Sequence, residues 1–517
     1  MKLKKIAAGL ALAGLVIGSA ASSATAAATE EKVLTTKTIT IWTFGDVIEA
    51  NLIKEYKKVH PEILLSIKKS DLAQMNGTDM VAACTSKTGP DIVAVEVSYS
   101  GKWRSYPKCF TDLKTMRTSS ANATMTTTFK THKNTGSADL YYDLDDKGAR
   151  ITVPNSNSYI DATGAKISVG SIPAGQSATT IKPNYLSWRW AQGVGHDGSV
   201  IGIPTDVGGL EVLYRTDLMV KAGLITAKQS ASGEGRDILG KSWPTWDKFI
   251  AQGQKYMLKL SAADKKKGFG FMDNAGAIFA AMLQQGETKY YNDNGTDSGT
   301  IFGVNPKTKK KEPLYSWNPN IKAAWDTTIK ATKAGIGTKT AQFSPDWPVG
   351  MNTGKFAAIL APAWMMDYVK QQAPTTTGKW DVADLPGGGG NQGGTQLGIT
   401  SYSTMKQDAW DFLAWYLAPE QQLQVFRSYG LFPSTKSIYN NASVKDFKDP
   451  FFNNAPVGKI YSEGILKLKP IFEGELNPAI DLAFGGGLTR VAAGKMNSAK
   501  SWEKVMKDLV TATRGAK

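Results

Sequence analysis

Short apolar runs alternate with amphipathic stretches along the first third of the chain. The run "TITIWTF", which begins at Thr38, is rich in β-branched residues and predicts a strand. In the next stretch, "GDVIEANLIKEYKKVHP", apolar residues recur at helical spacing at Ile48, Leu52, Tyr56 and Val59. "EILLSIKKS" then predicts a strand, "LAQMNGTDMVAACTSK" a helix and "PDIVAVEV" a continuously buried strand. This alternation predicts an α/β fold with a doubly wound parallel sheet.

Acidic and polar residues follow each of these three predicted strands. Asp46 comes after the first strand, Asp71 after the second, and Glu96, Ser98 and Tyr99 after the third. The carboxyl ends of parallel strands meet at one edge of a sheet, and ligands of such sheets bind outside that edge. The sequence therefore predicts a ligand site with carboxylates along this edge.

The composition changes to Thr, Ser, Asn and Gly between residues 118 and 183. Within this segment, "DLYYDLDDKGARITV" and "SYIDATGAKISVG" each predict an antiparallel hairpin around a glycine-containing turn. We interpret the segment as a polar, β-rich insertion in the first α/β unit.

The stretch "IPTDVGGLEVLYRTDL", residues 203–218, places Asp206, Gly208 and Gly209 between two strand-like runs. Glycine weakens a strand and is typical of places where the backbone bends or is approached closely. A second glycine-rich stretch, "LPGGGGNQGGTQLGI", follows another strand-like run. The pattern predicts two α/β units between which the chain passes more than once, so that these stretches serve as hinges.

Length and charge narrow the class of protein. The 517 residues exceed what one hydrophobic core normally organises, which favours two or more lobes. Lys and Arg number 61 against 45 Asp and Glu, a net charge of +16. The basic clusters, such as "ADKKKGF" and "PKTKKKEP", lack the aromatic interleaving of nucleic-acid readers, so we expect no nucleic-acid partner. No apolar run beyond the N-terminus approaches the roughly 20 residues that span a bilayer.

The N-terminal sequence predicts a secretory signal over residues 1–28. It has lysines first, then an apolar run, then small residues that suit cleavage, in "MKLKKIAAGLALAGLVIGSAASSATAAATEEK". We therefore expect an extracytoplasmic protein, whether secreted, held at the cell surface or periplasmic. A retained membrane anchor is the alternative. The signal region contains no cysteine, so it offers no acceptor for a lipid.

The sequence contains two cysteines, Cys84 and Cys109, which are 25 positions apart. In an oxidising compartment they are candidates for one disulfide, while two unpaired thiols remain the alternative. Two cysteines and the scattered His60, His132 and His196 predict no metal site.

Signatures of catalysis are weak. "GRDILGKS", residues 235–242, fits the phosphate-loop pattern, but no strand precedes it and Trp243-Pro244 follow it, so we interpret it as a surface loop between helices. The sequence has no G-x-S-x-G elbow and no H-E-x-x-H helix. We predict no enzyme activity, no catalytic residue and no cofactor. A secreted glycoside hydrolase is the alternative, because two carboxylates suffice for that chemistry.

Tryptophan, with 14 residues, points to a class of ligand. Trp42, Trp347 and Trp364 adjoin predicted strand ends or Gly/Pro-rich turns, where indole rings could face a ligand. Sugars stack their apolar faces on aromatic rings and pair their hydroxyls with carboxylates and amides, so this set suits a carbohydrate. Other tryptophans fall at helical positions typical of a core, namely Trp246, Trp325, Trp410 and Trp415.

An ordered set of segments carries a family resemblance: "ITIWTFGDVIEANLIKEYKKVHPEI", "GPDIVAVEVSYSGKW", "IGIPTDVGGLEVLYRTDLMVKAG", "WPTWDKFI", "GKFAAILAPAWM" and "GITSYSTMKQDAWDFLAWYLAPEQQ". The set resembles the extracellular solute-binding proteins of bacterial ABC importers, in the sugar-binding group (family 1) that includes the maltodextrin-binding proteins. The resemblance implies a two-lobed, type II periplasmic-binding-protein-like fold. Its lobes, joined by hinge segments, would close over a sugar or oligosaccharide and deliver it to the membrane permease of an ABC transporter.

The resemblance also implies domain bounds and ligand contacts. Lobe I would comprise 37–203, with the insertion at 118–183, plus about 387–430; lobe II would comprise 204–386 plus about 431–517. Positions implied by the resemblance, together with the strand-end and tryptophan positions named above, form the set of candidate ligand-binding residues. They are Trp42, Asp46, Asp71, Glu96, Ser98, Tyr99, Asp206, Gly208, Trp347 and Trp364. We expect a monomer. The polar insertion and the missing lipid-attachment cysteine depart from the family pattern.

Overall fold

The structure is a computed structural model, and the residues that it describes are 36–119, 174–286, 290–291, 300–468 and 473–514, with the backbone of four short strands between 142 and 167. The predicted signal segment, 1–28, lies outside the described residues. Within the described part of the chain, no helix has both the length and the apolar character that crossing a bilayer requires.

Strands and helices alternate through most of the described chain. The strands are, in chain order, β1 (Lys37–Thr43), β2 (Ile63–Lys69), β3 (Ile92–Glu96), β4 (Tyr142–Leu144), β5 (Arg150–Thr152), β6 (Tyr159–Ile160), β7 (Lys166–Ile167), β8 (Ile203–Pro204), β9 (Leu210–Arg215), β10 (Gly270–Met272), β11 (Phe302–Val304), β12 (Lys311–Pro313), β13 (Phe356–Pro362), β14 (Trp380–Ala383) and β15 (Thr395–Ile399). The helices are α1 (Ala50–Val59), α2 (Met80–Ser86), α3 (Val97–Arg104), α4 (Ala178–Ile181), α5 (Ser187–Ala191), α6 (Thr216–Lys221), α7 (Ala227–Ser232), α8 (Glu234–Ser242), α9 (Trp246–Lys259), α10 (Ala262–Lys266), α11 (Ala277–Gln285), α12 (Leu314–Trp317), α13 (Pro319–Lys333), α14 (Asp346–Thr353), α15 (Ala363–Gln372), α16 (Lys406–Tyr416), α17 (Pro419–Tyr429), α18 (Ala442–Lys445), α19 (Val457–Leu466), α20 (Asn477–Ala492) and α21 (Ser498–Ala512).

The first sheet confirms the predicted start of the fold. Its strand order is β2-β1-β3-β15-β8, and β1 pairs in parallel with both β2 and β3. All five residues of β3 are buried, as the continuous apolar run predicted. The later strands β15 and β8 join antiparallel, so the complete sheet is mixed.

The second sheet lies in the other α/β unit and has the order β10-β13-β9-β14. β9 is one of its two inner strands and pairs antiparallel with β13 on one side and with β14 on the other. Each sheet has its own hydrophobic core, around Leu52 and Trp410 for the first and around Val212 and Trp243 for the second. The tryptophans predicted to be core residues are buried, namely Trp246, Trp325, Trp410 and Trp415.

Within the described residues, the chain passes between the two sheets in three segments that lie side by side: 205–209, 384–394 and 430–434. Residues 205–209 form the middle segment, where Gln392 N donates to Gly208 O at 2.7 Å; just after it, Leu210 N donates to Gly390 O at 2.8 Å. On the other side, Val207 N donates to Phe432 O at 2.8 Å. The prediction that 203–218 crosses between the units is thereby confirmed, since β8 and β9 belong to different sheets.

Two smaller features answer other predictions. In the insertion, β4 pairs antiparallel with β5, and β6 pairs antiparallel with β7, as the two hairpins predicted. Cys84 of α2 and Cys109, which follows α3, form a disulfide with a Cα–Cα distance of 5.4 Å.

The phosphate-loop-like stretch was wrongly assigned to a loop. Residues 235–242 lie in helix α8. Their backbone N–H groups belong to helical turns and cannot cradle a phosphate as a glycine-rich loop does.

Candidate functional site

A cavity of about 540 Å³ lies between the two lobes, which is within the range of about 300–1,000 Å³ typical of small-molecule sites. Lobe I contributes the segment after β1, the residues after β3 and the start of β15, while lobe II contributes one face of α15. The lining residues are Phe44, Gly45, Asp46, Val47, Leu72, Glu96, Ser98, Asp206, Trp364, Asp367, Tyr368, Gln371, Gln392, Gly393, Gly394, Thr395, Tyr429 and Leu431.

Half of the candidate residues line this cavity, and they come from four separate parts of the sequence. They are Asp46, Glu96, Ser98, Asp206 and Trp364. The other five, Trp42, Asp71, Tyr99, Gly208 and Trp347, do not line it. These five residues therefore meet at one cavity, in agreement with the expectation that strand ends and crossing segments share one edge.

Trp347 is a correction, because its ring belongs to the core of lobe II. The residue lies in α14, is fully buried, and donates its indole N–H to Asp273 Oδ2 at 3.0 Å. Its ring stacks on that of Tyr368, with centroids 5.2 Å apart. Trp347 therefore packs against Tyr368, which lines the cavity, and does not itself face the cavity.

The strand-end residues that miss the cavity have local structural roles. Trp42 is half-buried, and the ammonium group of Lys68 lies over its ring at 4.4 Å from the centroid. Asp71 accepts a hydrogen bond from Gln74 N at 3.0 Å. Tyr99 packs against the core cluster that contains Trp103. Only Trp42 lies in a strand, whereas Asp71 follows β2 and Tyr99 belongs to α3.

Gly208 allows two crossing segments to lie in contact. A Cβ at this position would collide with the carbonyl oxygen of Gln392, whose N–H donates to Gly208 O. Gly393 and Gly394 have φ values of +84° and +127°, which favour glycine. A Cβ at Gly393 would lie 3.5 Å from Trp364 Nε1. Glycine therefore keeps the crossings close together and the cavity open.

Two buried carboxylates form the floor of the cavity, one at the end of β3 and one in the crossing segment 205–209. Glu96 is the N-cap of α3 and its Oε2 accepts from Ser98 N at 2.8 Å. Asp206 Oδ1 accepts from Thr395 N at 2.8 Å and from the hydroxyl of Thr205 at 2.6 Å. Burial raises the pKa of both carboxyl groups, and these hydrogen bonds oppose the rise.

Behind this floor lies Arg189 of α5, which no pattern in the sequence indicated. The guanidinium is fully buried and donates to Asp206 O and to Thr395 O, each at 3.0 Å, and also to Gln192 Oε1. A buried arginine needs such partners because its charge is costly to desolvate. Arg189 thereby joins two crossing segments to each other beneath the cavity.

The lobe II wall is one face of α15, where Trp364, Asp367, Tyr368 and Gln371 recur at helical spacing. Trp364 donates its indole N–H to Gln392 O at 3.2 Å. Phe343, 51% exposed, lies nearly parallel to the Trp364 ring at a centroid distance of 6.1 Å. The polar and aromatic spacing of α15 was visible in the sequence and could have identified this face.

The cavity combines aromatic rings with oxygen acceptors and amides. The indole of Trp364 and the phenols of Tyr368 and Tyr429 offer flat apolar surface, and carboxylates and glutamines surround them. None of the described lining residues is Lys, Arg or His. Nor do the described residues contain a group of three or more His, Cys, Asp or Glu side chains able to hold a metal ion. This chemistry suits a neutral ligand that carries both hydroxyl groups and apolar faces.

Two curated relatives are similar to parts of the chain. A lactose-binding protein from Rhizobium radiobacter is 24% identical over 301 residues, which is 56% of this chain and 63% of the relative. An arabinooligosaccharide-binding protein from Bacillus subtilis is 24% identical over 294 residues, 53% of this chain and 59% of the relative. The chain thus aligns with about three fifths of the length of each.

Solved structures match over nearly the whole length. A structure described as an extracellular solute-binding protein family 1 is 27% identical, with a TM-score of 0.67 over 92% of this chain and 99% of its own. The galacto-N-biose/lacto-N-biose I-binding protein from Bifidobacterium longum is 16% identical, with a TM-score of 0.62 over 93% and 98%, and shows the same two-lobed fold. The family model of the bacterial extracellular solute-binding proteins matches residues 79–452. With most of the chain matched and the fold shared, the protein belongs to the family of bacterial extracellular solute-binding proteins.

Proposed function

We propose that the protein is an extracytoplasmic receptor that captures a sugar or short oligosaccharide between its lobes and delivers it unchanged to the permease of an ABC importer. The observation that carries the proposal is the composition of the cavity wall. Strand ends of lobe I and the α15 face of lobe II meet around one space. A ligand that contacts both lobes stabilises the closed form over the open one.

Within this proposal, Trp364 stacks on the apolar face of a sugar ring, and Asp46, Asp206 and Asp367 accept hydrogen bonds from its hydroxyls. The absence of a basic side chain among the described lining residues supports a neutral sugar over a uronic acid or a sugar phosphate. The sugar-binding names of both curated relatives support the same class of ligand.

The test is isothermal titration of the protein, without residues 1–28, against lactose, maltose, arabinotriose and glucuronic acid, with the recovered sugar analysed afterwards. We expect one sugar bound per chain, recovered intact, and no binding of the acid. Failure of every sugar to bind would refute the proposal. Release of a shorter product would instead establish the alternative, a glycoside hydrolase acting through paired carboxylates.

The proposal extends to location, partner and lobe boundaries. Residues 1–28 direct export, and the monomeric receptor docks on the permease. The division into 37–203 plus about 387–430 and 204–386 plus about 431–517 is supported by the strand membership of the two sheets. Sedimentation of the purified protein tests the monomer, and the N-terminal sequence of the exported chain tests the cleavage site.

A further inference from the structure

A second contact between the lobes lies beside the cavity, between helix α3 of lobe I and residues 473–477 of lobe II. Gly101 of α3 packs so closely on Gly474 that a Cβ at Gly101 would collide with the Gly474 backbone. Next to it, Tyr106 Oη donates to Glu475 Oε1 at 3.4 Å. Helix α20, which begins at Asn477, packs on α13 and α21 in lobe II and also on α3. The two lobes therefore touch here as well as around the cavity.

Glu473 is buried at this contact, with 7% of its surface exposed. Its Oε2 accepts a hydrogen bond from the side-chain amide of Asn477. The charged and titratable groups that act on it come from several elements: Glu96 at the start of α3, Arg189 of α5, Asp481 of α20, and Tyr290 and Tyr291 before β11. Asp206 joins the group through Arg189. The charge of Arg189 thus acts on three carboxyl groups: Glu96 of lobe I, Asp206 of the crossing segment and Glu473 of lobe II.

We propose that closure of the lobes takes up a proton, because closure buries Glu473 of lobe II at the contact with Gly101 in helix α3 of lobe I. Opening separates the Gly101–Gly474 contact and admits water to the carboxyl group. The inference rests on the proposed function only in that the lobes close over a sugar. In chemical terms, the closed form holds one more proton than the open form.

The direction of the pH effect follows from the two forms. In the closed form, burial and the neighbouring carboxyl groups of Asp481 and Glu96 raise the pKa of Glu473 to about 8. In the open form, where water reaches the carboxyl group, the pKa of Glu473 returns toward its ordinary value of about 4.3. Between these two values, each closing event binds one proton, so closure weakens as the pH rises, by at most about tenfold per pH unit. Below the lower pKa, the stabilisation that the bound proton gives to the closed form is complete. Above the upper pKa, that stabilisation is lost.

The experiment compares the wild-type protein with Glu473→Gln and Glu503→Gln, using lactose, maltose and arabinotriose from about pH 5.5 to about pH 8.5. Glutamine keeps the size of the side chain and cannot ionise. Glu503→Gln is the matched control, because Glu503 is exposed to solvent on α21 of the same lobe. We expect the wild-type and Glu503→Gln affinities to fall with rising pH more steeply than the Glu473→Gln affinity. The carboxylates that line the cavity are common to all three proteins, so we assign a difference in slope to Glu473.

Equal pH slopes in the wild type and in Glu473→Gln would overturn the inference while leaving sugar binding intact. If no sugar binds, the proposed function fails, and the inference is still decided by small-angle X-ray scattering of the sugar-free proteins. In that measurement, the wild type should expand between about pH 5.5 and about pH 8.5, and Glu473→Gln should not. Identical radii of gyration for the two proteins at both pH values would refute proton uptake.

Discussion

Replacing Trp364 with alanine tests the proposed sugar platform most directly. The indole is half-buried, its N–H is committed to Gln392 O, and the part of its surface that faces the cavity is free to meet a ligand. Aromatic side chains bury ~150–250 Å² in total, so a sugar on one part of this ring removes about 70 Å² from water. At ~25 cal/mol/Å², that contact stabilises the complex by about 1.7 kcal/mol.

We therefore expect Trp364→Ala to weaken sugar affinity about 15-fold in isothermal titration. Trp364→Phe separates the two roles of the side chain, because it keeps an aromatic ring and loses the N–H donor. Its affinity should stay within about threefold of the wild type if stacking dominates. Wild-type affinity in the alanine variant would refute the platform. Equal losses in the two variants would assign the effect to the bond with Gln392 instead.

Three further changes test the site and its scaffold. Cys84→Ser should lower the free energy of unfolding by ~3.5 kcal/mol in urea titration, from the chain-entropy cost of a 25-residue separation, and equal stability would show that the disulfide contributes nothing. Asp206→Ala should weaken sugar binding by about 1.5–3 kcal/mol, because it removes a charged acceptor; unchanged affinity in titration would remove Asp206 from the site. Gly208→Ala should cost about 1–3 kcal/mol of stability, since its Cβ would push Gln392 away; an unchanged thermal midpoint would contradict close contact of the crossings.

The sequence predicted lobe I well because strand order and ligand position are linked there. Parallel strands that alternate with helices have their carboxyl ends at one edge of the sheet. The sequence alone therefore predicted that Asp46 and Glu96 lie at the same edge. The glycines after Asp206 indicated a crossing for a different reason: few other features require glycine within an extended run.

Lobe II was harder to predict because its contribution is the face of a helix. Which side of α15 turns toward the cavity depends on how the helix packs on β13, and that packing is a tertiary property. Trp347 illustrates the difficulty, because a tryptophan beside a proline and a glycine suggested an exposed turn, whereas α14 carries it into the core. Arg189 gave no signal in the sequence, since its partners are backbone carbonyls nearly 20 and more than 200 positions away.

The position of Arg189 also indicates where the lobes bend. Its guanidinium binds the carbonyls of Asp206 and Thr395, so the lobe I ends of two crossing segments move together with α5. We expect rotation between the lobes to be taken up about an axis beyond these residues, through 207–209 and 390–393, where Gly393 has a φ of +84°. Asp206 lies on the lobe I side of these residues and Trp364 belongs to lobe II, so we expect such a rotation to open the cavity between them. The same rotation separates Gly474 from Gly101, and this shared axis would couple the proton on Glu473 to the sugar.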